Sequence, residues 1–330
     1  MRVGPLRLRV AATLAGATAL ALFAAGCSSN SATSASSALN SAASVAGSAV
    51  SAATSAAGSA LSAATSAAGS ALSDATGSAA AGSSQLLADA ADGKLTVGIK
   101  FDQPGLALKK PDGSFAGFDV EVAKYVAKQL GVDPANIEFK ESKSAEREGL
   151  IERGEVDYIV ATYSITDDRK QKVNFAGPYI VAHQDLLVKA DNTDIKGPDT
   201  LNGKKLCSVT GSTSAQKVKD KFSTDVGLQE YGTYTECVDA LLAGGVDAVT
   251  TDDVILAGFA AQYPGELKVV GKGFSDENYG IGLKKGDTAG TAAINKAIAA
   301  MIADGSWAKA LKDTVGPSGY TIPAPPTPSS

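Results

Sequence analysis

One stretch decides where this chain can fold. From Ser28 to Ser84, 40 of 57 residues are Ser or Ala, and Asp74 is the only charged one. Such a segment cannot bury enough apolar surface to offset the entropy of ordering it. It carries an 11-residue repeat that starts at Gly47 and Gly58 and degenerates from Gly69. Eleven residues are close to three helical turns, so Leu39, Val50, Leu61 and Leu72 fall near one helical face, a weak stripe. Ala favours helix there while Ser, Thr and Gly oppose it. The segment reads as a tether, with a coiled-coil role as the alternative, and the folded region is confined to about Gln85–Thr321.

The residues before the tether have another character. Arg2, Arg7 and Arg9 are followed by an apolar run from Val10 to Ala25 and then by Ala24-Ala25-Gly26-Cys27. A positive start, a short greasy core and small residues before a cleavage point make a secretory signal. The core is about 16 residues, short of the ~20 that a membrane helix needs. Cys27 directly after Gly resembles a bacterial lipobox, in which that Cys is lipidated; the alternative is an ordinary signal with an incidental Cys. The chain is acidic, with a formal net charge of −5, and loss of the signal's arginines makes it more so. A nucleic-acid partner is therefore not expected. One His and three Cys argue against a His- or Cys-rich metal site, and no cofactor is expected.

The folded region alternates strands and helices. Leu95–Ile99 is a short apolar strand, and Gly117–Leu130 a helix with Val122, Val126 and Leu130 on one face. Ile137–Phe139 is strand-like, Ala145–Arg153 helical, and Val156–Ala161 a strand. The order restarts with a strand Lys205–Val209, helices Thr213–Phe222 and Thr235–Ala243, a strand Val246–Thr250, a helix Val254–Gln262 and a strand Leu267–Val270. A strand Tyr279–Leu283 and helices over Asp287–Val315 close the chain. Repeated βαβ order implies an α/β fold with mostly parallel sheet covered by helices. Two such units with a return segment imply two lobes and a cleft, where ligands of such folds sit.

Cys207 lies in a predicted strand and Cys237 in a predicted helix of the same unit. Outside the cytoplasm a Cys pair is normally a disulfide; two free buried thiols are the alternative. Thr162-Tyr163-Ser164-Ile165-Thr166-Asp167-Asp168-Arg169 follows directly on the strand 156–161, where a strand end opens into a cleft. Ser164 and Thr166 offer hydroxyls, and Arg169 offers a planar fork that pairs bidentately with a carboxylate. Asp167 and Asp168 read as helix N-terminal acids beside it. Phe101, Phe118 and Tyr163 could pack on a ligand chain or belong to the core.

Several ordered motifs resemble a known family: Gly117-Phe118-Asp119-Val120-Glu121-Val122-Ala123, Gly154-Glu155-Val156-Asp157, Ser164-Ile165-Thr166-x-x-Arg169 and Phe175-x-x-Pro178-Tyr179. The chain from about Lys94 to Val315 is similar to extracellular solute-binding proteins of family 3, the polar amino acid receptors of ABC importers. Gly98–Gly105 and the surroundings of Cys207 and Cys237 resemble more narrowly the glutamate-binding lipoproteins of high-GC Gram-positive bacteria.

The resemblance implies a two-lobe, type II periplasmic-binding-protein-like fold: lobe 1 over 91–186 and 276–320, lobe 2 over 187–275. A signal peptide 1–27, a tether 28–90 and a Pro-rich tail 321–330 flank it. The implied ligand set has Arg169 on the α-carboxylate, Ser164 and the Thr162 carbonyl beside it, and Ser212 and Thr213 at a helix start in the second lobe. Asp252 takes the α-ammonium, with Asp253 as the neighbouring alternative. A second carboxylate on the ligand needs a second basic group, which Arg147 or Lys100 would supply. For Arg147 a solvated helix charge between two Glu residues is the competing reading, and Lys100, at the end of the first strand, has a bland alternative as well. Gln103 is a further candidate. The function implied is a non-enzymatic, monomeric, lipid-anchored receptor on the outer face of the plasma membrane, delivering an acidic amino acid, glutamate, to ABC permease subunits. Alternatives are a glutamine or aspartate receptor, a dehydratase-like enzyme on the same fold, and a sensory or wall-binding lipoprotein.

Overall fold

The computed structural model describes residues 84–221 and 225–328. The signal segment, Cys27 and nearly all of the Ser/Ala tract lie outside the described residues. The first element is α1 (Gln85–Ala91), started by the Ser84 hydroxyl accepting from Leu87 N. Leu86 and Ala90 are buried in the main core. Folded structure thus starts at about Gln85, where the sequence places it, within the last residues of the expected tether 28–90: these two apolar residues, four apart on one face, bring the helix into the body.

Among the described residues, one nine-stranded mixed sheet organises the fold. Strand β1 (Leu95–Ile99) pairs in parallel with β5 (Ile137–Glu141) and with β6 (Tyr158–Ile159). A small separate sheet holds β2 (Asp102–Gln103), β3 (Ala107–Lys109) and β4 (Phe115–Ala116). The second half holds β8 (Lys205–Val209), β9 (Gly227–Tyr231), β10 (Ala248–Asp252) and β11 (Leu267–Val269). Here β10 and β9 both run parallel to β8.

One strand joins the halves. β7 runs over Val173–Lys189. It pairs antiparallel with β12 (Asp276–Lys284) as far as His183, and from Gln184 onward with β10. The lobes therefore exchange neighbours between His183 and Gln184, three residues before the expected boundary. The sequence reading missed the length of β7, the edge strand β9 with its mixed Gly-Leu-Gln-Glu-Tyr pattern, and the small sheet, whose strands are too short for a periodic signal.

Helices cover both halves. α2 (Phe118–Gln129) buries Phe118, Val122 and Val126, while Leu130 is its C-terminal cap. α3 (Arg147–Glu152) and α4 (Asp167–Lys172) are short. α5 (Ser214–Lys221), α6 (Tyr234–Leu242) and α7 (Asp253–Gln262) serve the second half. A Thr233/Glu236 capping box starts α6. α8 (Thr288–Ala303) and α9 (Ser306–Thr314) return to the first half, where Trp307 donates to the Tyr179 carbonyl at 2.7 Å. Cys207 in β8 and Cys237 in α6 form a disulfide, with Cα atoms 5.6 Å apart. Beyond α9, Tyr320 and Ile322 pack against the core. No described helix is long and apolar enough to cross a membrane.

Candidate functional site

The ends of β6 and β10 face each other across a small cavity. Its walls carry Ser144, Arg147, Thr162, Ser164 and Arg169 from the first half, and Ser212, Thr213, Tyr234, Thr251 and Asp252 from the second. The walls are nearly in contact, and the space between them is about 10 Å3. The N-termini of α3, α5, α6 and α7 converge here, so the backbone adds positive potential to the site.

Arg169 is 8% exposed. It donates to the Ser164 carbonyl at 2.8 Å and to the Gly211 carbonyl of the other half at 3.1 Å. Glu148 is its counter-ion at 3.5 Å. Arg147 is 2% exposed, so it is not a solvated helix charge. Its guanidinium donates to the Ala161 carbonyl at 3.1 Å and the Thr162 carbonyl at 3.4 Å. Both guanidiniums lie over the Tyr163 ring, at 4.1 Å for Arg147 and 5.0 Å for Arg169. Burial, and then the nearby Arg169 charge, push Arg147 down to about 10.

The turn that carries Thr162 is held from behind. Thr162 has φ 46°, an uncommon conformation for a residue with a Cβ. Its N–H donates to Asp119 Oδ2 at 2.9 Å, and Tyr179 donates to Asp119 Oδ1 at 2.9 Å. Asp119 is fully buried, and desolvation pushes its carboxyl up to about 6 despite these bonds. The motif Gly117-Phe118-Asp119 marks this residue, but its spacing alone does not reveal that the acid reaches 43 positions ahead.

On the opposite wall Asp252 is 4% exposed. Its Oδ2 accepts from the Tyr279 hydroxyl, and its Oδ1 is buried with no hydrogen-bond partner. Burial first, and then Glu277 nearby, push its carboxyl up to about 7. Asp253 points elsewhere: its Oδ1 accepts from His183 N at 3.0 Å and from Tyr320 at 3.2 Å. Ser212 shares a 3.1 Å hydrogen bond with Ser208.

Two of the nine sequence-predicted ligand residues stand behind the wall. Lys100 donates to Ser144 Oγ at 2.8 Å, and burial, then Arg147, push it down to about 7. Gln103 is fully buried, with its amide 3.2 Å from Thr162 Oγ1. Phe118 is a core residue against Tyr179 and Trp307.

The family model of bacterial extracellular solute-binding proteins, family 3, matches residues 95–316. The chain belongs to that family. A glutamate-binding protein of Corynebacterium glutamicum is 51% identical over 241 residues, which is 70% of this chain and 81% of the relative. A glutamine-binding protein of an ABC transporter in Bacillus subtilis is 38% identical, over 66% of this chain and 80% of the relative. Among solved structures, an ancestral arginine-binding protein bound to glutamine aligns with a TM-score of 0.64 at 36% identity, covering 68% of this chain and 98% of that one.

Membership of this extracellular family puts the folded body outside the cytoplasm, where the Cys207–Cys237 bond is at home. The sequence reading of family 3 motifs missed Tyr234, Thr251 and Tyr279 at the site. Tyr234 and Tyr279 are aromatic residues that read as ordinary core, and no spacing links either of them to Asp252.

Proposed function

We propose that the chain is the receptor of an ABC importer, capturing an acidic amino acid, L-glutamate, between its two lobes and passing it to the permease subunits. The supporting observation is that a buried guanidinium, Arg169, and a buried carboxyl, Asp252, stand on opposite walls of one cavity. An α-amino acid carries a carboxylate and an ammonium a few bonds apart, so it pairs with both walls at once. A desolvated zwitterion gains most when each pole is paired. Such a ligand favours the closed arrangement because only that arrangement offers both partners.

The walls stand too close for an amino acid to enter without parting, so capture requires hinge motion. The Arg169 donors and the unpartnered Asp252 Oδ1 are the groups that meet the α-carboxylate and α-ammonium. Arg147, with Lys100 acting through Ser144, makes the same wall cationic, which supports an acidic ligand side chain over a neutral one. Ser164, Thr162, Ser212 and Thr213 supply hydroxyl and backbone groups around it. Gln103 acts through Thr162. In this reading the protein turns over no substrate. It is monomeric, and it is held to the outer membrane face by lipid on Cys27.

The test is a thermal-shift and calorimetric screen of the secreted chain against the twenty amino acids. Binding by mass action makes the best ligand give the largest shift. L-Glutamate is expected to lead. A larger shift with glutamine or a cationic amino acid would sink the acidic-ligand reading. Incorporation of labelled palmitate that is lost in Cys27→Ala tests the anchor.

A further inference from the structure

β2 and the turn after it reach from the first lobe to two helices of the second. Asp102 Oδ2 accepts from Thr235 N at 3.2 Å and from Thr235 Oγ1 at 3.3 Å, at the start of α6. Two residues on, the Pro104 carbonyl lies against Gly258 in α7: a Cβ on Gly258 would stand 2.2 Å from that oxygen. None of these four residues lines the cavity.

Gly258 has no local reason to be glycine. It sits inside a helix, where glycine is among the least favourable residues. Its φ is not in the left-handed region, unlike that of Gly211, whose φ of 79° explains itself. What the missing side chain permits is the approach of the Pro104 backbone.

We propose that Pro104 and Gly258 form a closure contact, a positioning pair that sets how far the lobes can shut and so sets the affinity for a ligand that neither residue touches. Asp102 and Thr235 add an attractive latch beside it. The inference rests on the two-lobe receptor reading. When the lobes part, the contact breaks and Gly258 becomes an ordinary helix position. When they shut, only glycine fits. Closure follows capture, so weakening it acts on escape of the ligand more than on entry.

Gly258→Ala separates this from a fixed packing role. If the contact forms only on closure, alanine fits the free protein and improves α7, so the free protein melts at or above the wild-type temperature. The glutamate-induced shift then shrinks, and dissociation speeds up by about tenfold or more while association stays within about twofold. Asp102→Ala, which introduces no clash, is expected to speed dissociation by a smaller factor in the same pattern. A lower melting temperature for free Gly258→Ala would mean that Pro104 and Gly258 pack in every state, and would overturn the proposal, as would an unchanged dissociation rate. Wild-type protein that binds no amino acid would reject the receptor reading instead, and the melting temperature of free Gly258→Ala would still decide whether the contact is permanent.

Discussion

Arg169 on the first lobe donates to the carbonyl of Gly211 on the second, across 3.1 Å. The same guanidinium holds the Ser164 carbonyl and faces Glu148. One side chain thus orders the wall it stands on and contacts the wall opposite. A ligand carboxylate that takes up these donors exchanges a neutral acceptor for a charged one, which roughly doubles the strength of the hydrogen bonds.

Arg169→Ala should lower glutamate affinity by roughly 10²–10⁴-fold, the usual consequence of leaving a buried charge without its partner. Calorimetry reads this directly. Arg169→Lys keeps the charge but not the fork, and should recover only part of the loss. Near-native binding in the alanine variant would remove Arg169 from the site.

Arg147→Met should weaken glutamate more than glutamine, because a neutral amide does not need the second cation. The same change frees the Ala161 and Thr162 carbonyls, so the melting temperature should fall as well. The ratio of the two affinities, and not either one alone, is the informative number. An unchanged ratio would exclude Arg147 as the reader of the ligand side chain.

The pH dependence follows from Asp252. With the walls shut and no ligand between them, its carboxyl is pushed up to about 7, and a ligand ammonium favours the ionised form. Below about pH 7 binding must therefore expel a proton, and affinity should fall by up to about tenfold per unit. The stability of the shut, ligand-free arrangement behaves in the opposite sense. A carboxyl that holds its proton more tightly folded than unfolded gains stability as the pH falls from about 7 towards its unfolded value. Asp252→Asn should abolish binding, flatten this profile and raise the melting temperature of the free protein by a few degrees at pH 8. Calorimetry and melting curves across pH 5–8 test all three.

Removing the Cys207–Cys237 bond, by reduction or by Cys→Ala at both positions, should cost roughly 3–4 kcal/mol of stability in the chain-entropy picture for a separation of 30 residues. Denaturant melts of the two forms measure it. Neither cysteine lines the ligand cavity, so affinity at a temperature where both forms are folded should change little.

What could be read from the chain was whatever repeats or clusters locally. The Ser/Ala tract excluded a core over most of its length. The alternation of short apolar runs with helical stretches indicated an α/β body, and the ordered motifs indicated its family. Arg169 stood out because a fork of donors directly after a strand end is a local feature. Lys100 was read from its place at the end of the first strand, and Gln103 was a further candidate beside it; the fold sets both behind Ser144 and Thr162 instead of on the cavity wall.

The pairs that make the site are distant in sequence, and only the fold brings them together. Asp119 reaches Thr162, and Tyr279 reaches Asp252. Asp252 and Asp253 are adjacent and chemically identical, yet one faces the cavity and the other caps the far side at His183 and Tyr320. The sequence by itself determined where the chain could condense and which charges it had to spend. Only the tertiary structure decided which of those charges were buried opposite one another, because burial and approach depend on long-range packing that no local pattern encodes.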